Sequence, residues 1–356
     1  MDKTAFFILN IFLNSLLAFF TVVALIEGII FLFRIPQGRI AASLRMLPLI
    51  KLPFDCFLYD FSKWSFVKGI NPLQCAEGTR SICVTFGGLR HVFDWLLLPV
   101  NSGIQLTVAG NQTFTIADLI GYAVSPVALN LFAWLFLCVT LVFAFRKIFL
   151  YYRSYIVLDD LAKKSQIYDR KLRNPFLSSY IKKSGMRILT SPISTGSPFV
   201  AGLISSVVYI PTSLSKQLSR KEYEAVLAHE IEHVRNNDSL VRLILDFIAA
   251  IFWWIPTKKL LKYIEEGMEV GCDVKCKKYG INSTHLASAV CKSAKYSVNT
   301  PNHVFTFNLT RHTILNRVKL LLQPRSVRFR KTRFTFTCLA IGIAFLGIFF
   351  GRFWTF

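Results

Sequence analysis

Three long apolar runs divide the chain. Ala5 to Ile26, Leu119 to Phe145 and Phe334 to Gly351 contain no charged residue. Each meets or approaches the roughly 20 apolar residues that a helix needs to cross a bilayer. The first run has one early lysine, Lys3, and no small-x-small cleavage site before Glu27. It is longer than the apolar core of a signal peptide, so it reads as a retained anchor. A fourth segment, Ile40 to Asp60, carries Arg45, Lys51 and Asp55 together with Pro48 and Pro53. It is a poor lipid-facing span, but such charges are tolerated on a face turned towards other helices. The short connection from Arg34 to Arg39 reads as a turn between two membrane helices. The pattern therefore predicts spans at about 5–33, 40–60 and 118–145, an external loop at 61–117 and a last span within 334–356.

Beyond Phe145 the pattern changes. Lys147 to Lys183 is polar and basic, and is expected to be helical near a membrane surface. Three short runs follow: Arg187-Ile-Leu-Thr190, Ser197-Pro-Phe-Val-Ala-Gly202 and Val207-Val-Tyr-Ile-Pro211. β-Branched stretches broken by Gly, Pro and Ser predict small strands joined by tight turns. An edge of such a sheet can pair with an extended peptide, or the sheet can simply support its neighbours. Ser219-Arg-Lys-Glu222 fits a capping box, so a helix is expected to start there, with Asn236, Asn237 and Asp238 closing it. Leu240 to Ile255 ends at Pro256. At about 1.5 Å per residue it is too short for a crossing. It reads as an amphipathic interfacial helix, 240–255, partly sunk in the bilayer surface, with a core helix of the domain as the alternative.

Composition agrees with a chain only partly in water. Of 356 residues, 53% are hydrophobic and 17% charged, and Phe alone occupies 33 positions. The formal net charge is +22, and most of the 42 Lys and Arg lie between Arg146 and Arg333. The positive-inside rule places that segment in the cytoplasm and the N-terminus outside. A basic domain can also bind nucleic acid. Contact with an anionic membrane surface explains the same excess without a recognition motif, so no nucleic-acid partner is expected. Among the 8 cysteines, Cys75 and Cys83 share the expected external loop and are candidates for a disulfide. Cys272, Cys276 and Cys291 fall on the cytoplasmic side and should be reduced.

The candidate chemistry sits in His229-Glu230-Ile231-Glu232-His233. On a helix, residues four apart share a face, so both imidazoles can reach one metal ion. Glu230 lies beside them, placed to take a proton from an activated water. The pentad thus offers two zinc ligands and a general base. A site of this type needs one more protein ligand and an open position. Glu265, Glu266, Glu269 and Asp273 are the available acids downstream. Glu269 and Asp273 stand one turn apart, so the first can bind metal while the second accepts the outer N–H of a ligating histidine. Taken alone, such a pair would be two solvated surface acids; the upstream pentad reverses that preference. Glu265 and Glu266 read as solvated charges, and Glu232 as a polar contact on the helix flank.

These residues resemble the membrane gluzincins of the BlaR/MecR type, the beta-lactam-sensing antirepressor family. The likeness is carried by Ser197 to Gly202, Tyr209-Ile-Pro211, Leu227-Ala-His-Glu-Ile-Glu-His-Val-Arg235, Asp238, Trp253 to Pro256, Glu269-Val-Gly-Cys-Asp273 and a basic segment from Arg311 to Leu321. The resemblance implies a membrane α+β protein with four transmembrane helices. A cytoplasmic gluzincin domain of helices plus a small sheet, residues 150–333, would lie between spans three and four. It also implies that His229, His233 and Glu269 hold Zn2+, that Glu230 is the base and that Asp273 stands behind the ligands. The antirepressors carry a penicillin-binding sensor domain after the last span, and this sequence ends at Phe356. The expectation is therefore a zinc endopeptidase of the bacterial inner membrane, acting on a cytoplasmic or membrane-proximal protein, itself included, in signalling. The alternatives are a non-enzymatic receptor or scaffold that keeps the fold, and a quality-control protease similar to the CAAX-processing and heat-shock membrane metalloproteases. The oligomeric state is left open by the sequence.

Overall fold

The computed structural model describes residues 3–61, 106–108, 112–114, 126–167, 172–192, 197–202, 206–298, 311–323 and 342. Cys75, Cys83 and, apart from residue 342, the expected span at 334–351 lie outside these residues.

Two helices open the chain, α1 (Lys3–Leu32) and α2 (Arg39–Phe61), packed against each other as a hairpin. Val22 and Ile26 of α1 meet Ala41 and Leu44 of α2 in a buried cluster. Arg45 closes the pair by a double hydrogen bond to Glu27, at 2.6 and 2.9 Å. The charge that makes α2 a poor lipid-facing span is thus turned onto its neighbour. Within the expected external loop, β1 (Leu106–Val108) and β2 (Gln112–Phe114) pair antiparallel.

Helix α3 (Pro126–Lys164) is 39 residues long. At about 1.5 Å per residue it extends close to 60 Å, twice the hydrocarbon thickness. The expected boundary near residue 149 falls inside it, because no Pro or Gly interrupts the helix after Pro126. Charge begins at Arg146, but charge alone does not stop a helix. Among the described residues, Asn130–Lys164 is the one stretch long and apolar enough to cross a membrane, and Phe19–Leu32 is a shorter apolar helix.

Past α3 come β3 (Gln166–Ile167), α4 (Pro175–Ser184), β4 (Arg187–Ser191), β5 (Phe199–Ala201) and β6 (Val207–Pro211). The strands form one mixed sheet in the order β3-β4-β6-β5, with β4 and β6 parallel and the outer pairs antiparallel. All three runs expected to be strands are strands. Gly202 ends β5 at φ 100°, a conformation that only glycine adopts without strain. One sheet face packs on Leu161 near the end of α3. The other joins a core with Leu214, Tyr223, Leu227, Ile231 and Leu286.

The remaining helices are α5 (Thr212–Gln217), α6 (Arg220–Arg235), α7 (Asp238–Ile251), α8 (Lys258–Lys275), α9 (Ser283–Val298) and α10 (Arg311–Leu322). A single 3-10 turn, Cys276–Tyr279, follows α8. Helix α6 starts with the expected capping box. Glu222 N donates to Ser219 Oγ at 3.3 Å, and Ser219 N donates back to Glu222 Oε2 at 2.7 Å. The segment after α6 packs one face into a core and leaves Leu240, Ile244 and Trp253 exposed on the other. Leu245, Ile248, Phe252 and Ile255 are buried with Phe19, Met46, Leu49 and Ile264 in a core shared with α1, α2 and α8. The indoles of Trp253 and Trp254 donate to Thr140 of α3 and Ser15 of α1, each at 3.1 Å.

Candidate metal centre

The capping box fixes where α6 begins, and three turns later its buried face presents His229, Glu230 and His233, all at most 8% exposed. Helix α8 crosses beside it and presents Glu269 and Asp273, again from one buried face. The side-chain donors converge. His229 Nε2 lies 3.1 Å from His233 Nε2 and 3.2 Å from Glu269 Oε2, and His233 Nε2 lies 3.4 Å from Glu269 Oε1. Zinc bonds to nitrogen and oxygen of about 2.0–2.2 Å imply tetrahedral edges of about 3.3 Å between ligand atoms. The two imidazole nitrogens are spaced like one such edge, Glu269 offers a different oxygen to each, and one donor atom from each of the three residues lies within 4.8 Å of the others. Two imidazoles and a carboxylate are also the donor set of catalytic zinc. The residues present fit the metal.

Each histidine is backed by a carboxylate, and each carboxylate by an arginine. His229 Nδ1 lies 2.9 Å from Asp273 Oδ1. Arg317 of α10 clamps Asp273, donating from Nε and Nη2 at 2.9 and 2.8 Å, and its Nη1 reaches Glu269 Oε2 at 2.9 Å. His233 Nδ1 lies 2.6 Å from Asp238 Oδ2, and Asp238 is ion-paired with Arg39 of α2. Arg242 of α7 donates to Glu269 Oε1 at 3.0 Å, so Glu269 is held by a guanidinium on each oxygen.

The electrostatics follow from this packing. Burial disfavours charge on every group here, yet the partners win. Burial opposes the imidazolium of His229, but Asp273 and Glu269 hold its pKa well above the usual range. Burial likewise opposes that of His233, where Glu269 and Asp238 raise it. Burial would raise Asp273, but Arg317 and His229 hold it at about 2. Burial would also raise Glu269, which His233 and Arg317 hold well below the usual carboxylate range. A compact centre in which the carboxylates are ionised is suited to a cation, and a metal would replace the imidazole protons.

The structure brings His229, His233, Glu269 and Asp273 together, and buries Glu230 next to His229 on the same helix. Glu232 is fully buried away from the donors, where Tyr279 and Lys278 each approach it at 2.5 Å. Two expectations change. Glu265 is not a solvated surface charge; it is half-buried, and burial, opposed by Arg242, raises its pKa to about 7. Glu266 is also half-buried and accepts from Gln37 of the α1–α2 turn at 3.3 Å. Arg317, Arg39 and Arg242 were missed as site residues, and Asp238 was seen as a helix cap and as part of the family likeness, with no role at the site. A signal for Asp238 was present: it is the first acid after the pentad, five residues past His233.

The fold and this site define a metallopeptidase. The chain belongs to the BlaR1 peptidase M56 family, whose model matches residues 99–321. It is similar to the methicillin resistance mecR1 protein of Staphylococcus aureus, 24% identical over 235 residues, 65% of this chain and 34% of that protein. It is also similar to the regulatory protein BlaR1 of Bacillus licheniformis, 31% identical over 78 residues, 22% of this chain and 13% of that one. A third similarity is to protease HtpX homolog 2 of Methanosarcina mazei, 44% identical over 50 residues, 14% of this chain and 17% of the relative. The chain spans about a third or less of the length of these curated relatives.

Proposed function

We propose that this chain is a membrane-anchored zinc endopeptidase, with its metal centre on the cytoplasmic side of a bacterial inner membrane. It would cleave a cytoplasmic or membrane-proximal protein, itself among the candidate substrates, in signalling. The observation that carries this reading is the buried cluster of His229, His233 and Glu269, whose donor atoms lie within 4.8 Å of one another, with Glu230 on the same helix as the histidines.

Zinc bound there would supply Lewis-acid polarisation of a peptide carbonyl and acidify a water. The chain does the rest. Glu230, 7% exposed, is placed to accept the proton of the attacking water and return it to the leaving amine. Arg242 and Arg317 fix the rotamer of Glu269, and Asp273 and Asp238 orient the two imidazoles with Nε2 facing the metal. Strand β5 ends the sheet and packs beside α6, which supports the pairing of an extended substrate segment along that edge. Support for the membrane setting comes from the exposed apolar band of α3, which includes Leu131, Leu135, Val142 and Phe145. The basic residues from Arg146 onward support the cytoplasmic orientation and four-span arrangement. The resemblance to HtpX is local and supports the peptidase chemistry only.

The test is the Glu230→Gln variant of the full chain. It should bind zinc as the native protein does and cleave casein, or itself, about 10²- to 10⁴-fold more slowly. Equal cleavage by the two proteins would remove Glu230 as the base.

A further inference from the structure

Residues 37–42, where the α1–α2 turn enters α2, reach the metal centre from two sides. On one side Arg39 ion-pairs with Asp238 Oδ1 and donates from Nη2 to the carbonyl of Asn236 at 3.2 Å. The second oxygen of Asp238 holds His233 Nδ1. On the other side α8 lies against α2 with glycines at the contact. A Cβ on Gly267 would stand 2.9 Å from Ala42 Cβ and from the Gly38 carbonyl, and one on Gly271 would stand 2.9 Å from Arg39 Cβ. These two glycines bracket Glu269. One short stretch of the hairpin therefore references a histidine ligand on α6 and a carboxylate ligand on α8.

The contact is not isolated. Ala42, Met46, Leu49 and Leu52 of α2 share a buried core with Leu245, Ile248, Ile264 and Met268 of α7 and α8. A close-packed core transmits displacement rather than absorbing it. A shift of α2 would pull Arg39 from Asp238 and disturb the seat of α8 together. Arg39 also precedes the stretch matched by the family model, which begins at residue 99.

We infer that Arg39 is a positioning residue for the metal centre, and that through it the placement of the α1–α2 hairpin sets zinc affinity at His229, His233 and Glu269. This rests on the reading of those three as ligands. The guanidinium holds one oxygen of Asp238, so the other stays aimed at His233 Nδ1 and His233 Nε2 stays turned to the metal. Without Arg39, among the described residues only His233 and the Cys272 thiol, 3.7 Å from Oδ2, still hold the carboxylate, and the ring is oriented less firmly. Partners behind a ligating histidine are worth about 10- to 100-fold in metal affinity, and Arg39, one step further out, should fall at the lower end.

The experiment measures zinc dissociation constants by chelator competition on the detergent-solubilised full chain. The variants are Arg39→Ala, Arg39→Lys, Asp238→Asn, the Arg39→Ala/Asp238→Asn double and His229→Ala. Arg39→Ala should weaken zinc binding about tenfold, and Arg39→Lys should recover most of that loss. The double variant should bind no worse than Asp238→Asn alone, because the two residues act in one chain. A merely structural arginine would give additive losses, and that result, or unchanged affinity in Arg39→Ala, overturns the inference while leaving the ligand assignment intact. Zinc binding in His229→Ala equal to the native protein would instead remove the ligand assignment, and this inference with it. Should Arg39→Ala not fold, Arg39→Gln, neutral and of similar length, is read by the same criteria.

Discussion

The two halves of the metal centre are built alike but anchored in different parts of the molecule. Behind His229 stand Asp273 and then Arg317; behind His233 stand Asp238 and then Arg39. The first half is closed from the C-terminal side by α10. Its arginine side chain is 6% exposed and grips three carboxylate oxygens. The second half is closed from the N-terminal side by the α1–α2 hairpin, and its arginine side chain is 22% exposed. A wholly buried arginine between two carboxylates is a structural necessity, since either partner alone would be a buried uncompensated charge. The arginine at the end of the α1–α2 hairpin is partly exposed, and the carboxylate it pairs with keeps His233 as a second partner at 2.6 Å. The first half is thus built for permanence, and the second for adjustment.

The largest effect is expected from removing ligands, which strikes both halves equally. His229→Ala, His233→Ala and Glu269→Ala should each lower zinc affinity by more than the 10- to 100-fold that an outer partner is worth. Chelator competition would show it, and a ligand variant with native affinity would break the symmetry at its base. The next effect separates the halves. Arg317→Ala leaves Glu269 and Asp273 buried with less compensation and should cost about 3–5 kcal/mol of metal-free stability. Arg39→Ala also strips a buried carboxylate of its arginine, but Asp238 keeps His233 at 2.6 Å, so the cost should be smaller than for Arg317→Ala. Zinc restores positive charge beside Glu269, so thermal unfolding with and without zinc should show a wider gap in Arg317→Ala than in the native protein. Equal destabilisation by the two arginine variants would erase the distinction between the halves.

A smaller effect concerns the start of α6, which positions both histidines. Burial would raise the pKa of Glu222, but Lys292, Ser288 and the Ser219 backbone hold it at about 2. The folded value lies below the unfolded one, so the group stabilises the fold above about pH 4.5 and loses that contribution as pH falls towards 2. Denaturant unfolding should show native protein losing about 2 kcal/mol more than Glu222→Gln over that window. Parallel pH profiles for the two proteins would contradict this.

The halves also differ in how visible they were in the sequence. The ligands and Asp273 follow helical arithmetic, with spacings of four residues on α6 and on α8. The capping box and three of the strands were legible for the same reason: their determinants are local. Asp238 bonds back to His233 across a turn in which Asn237 adopts positive φ, at 53°, which no periodicity announces. Arg39 and Arg317 meet their carboxylates across 199 and 44 residues of chain, and nothing local marks them among 42 basic residues. The continuation of α3 beyond the apolar run was hidden in another way. Charge appears at Arg146, but charge alone does not stop a helix, and α3 passes through it unbroken.

The central claim is that this centre is a zinc-dependent peptidase site with Glu230 as its base. The most direct test measures zinc content and cleavage rate per bound zinc, side by side, for the native full chain and Glu230→Gln. The account predicts about one zinc per chain in both proteins and cleavage only in the first. Native protein that binds no zinc, or a Glu230→Gln protein that cleaves at the native rate, would contradict it.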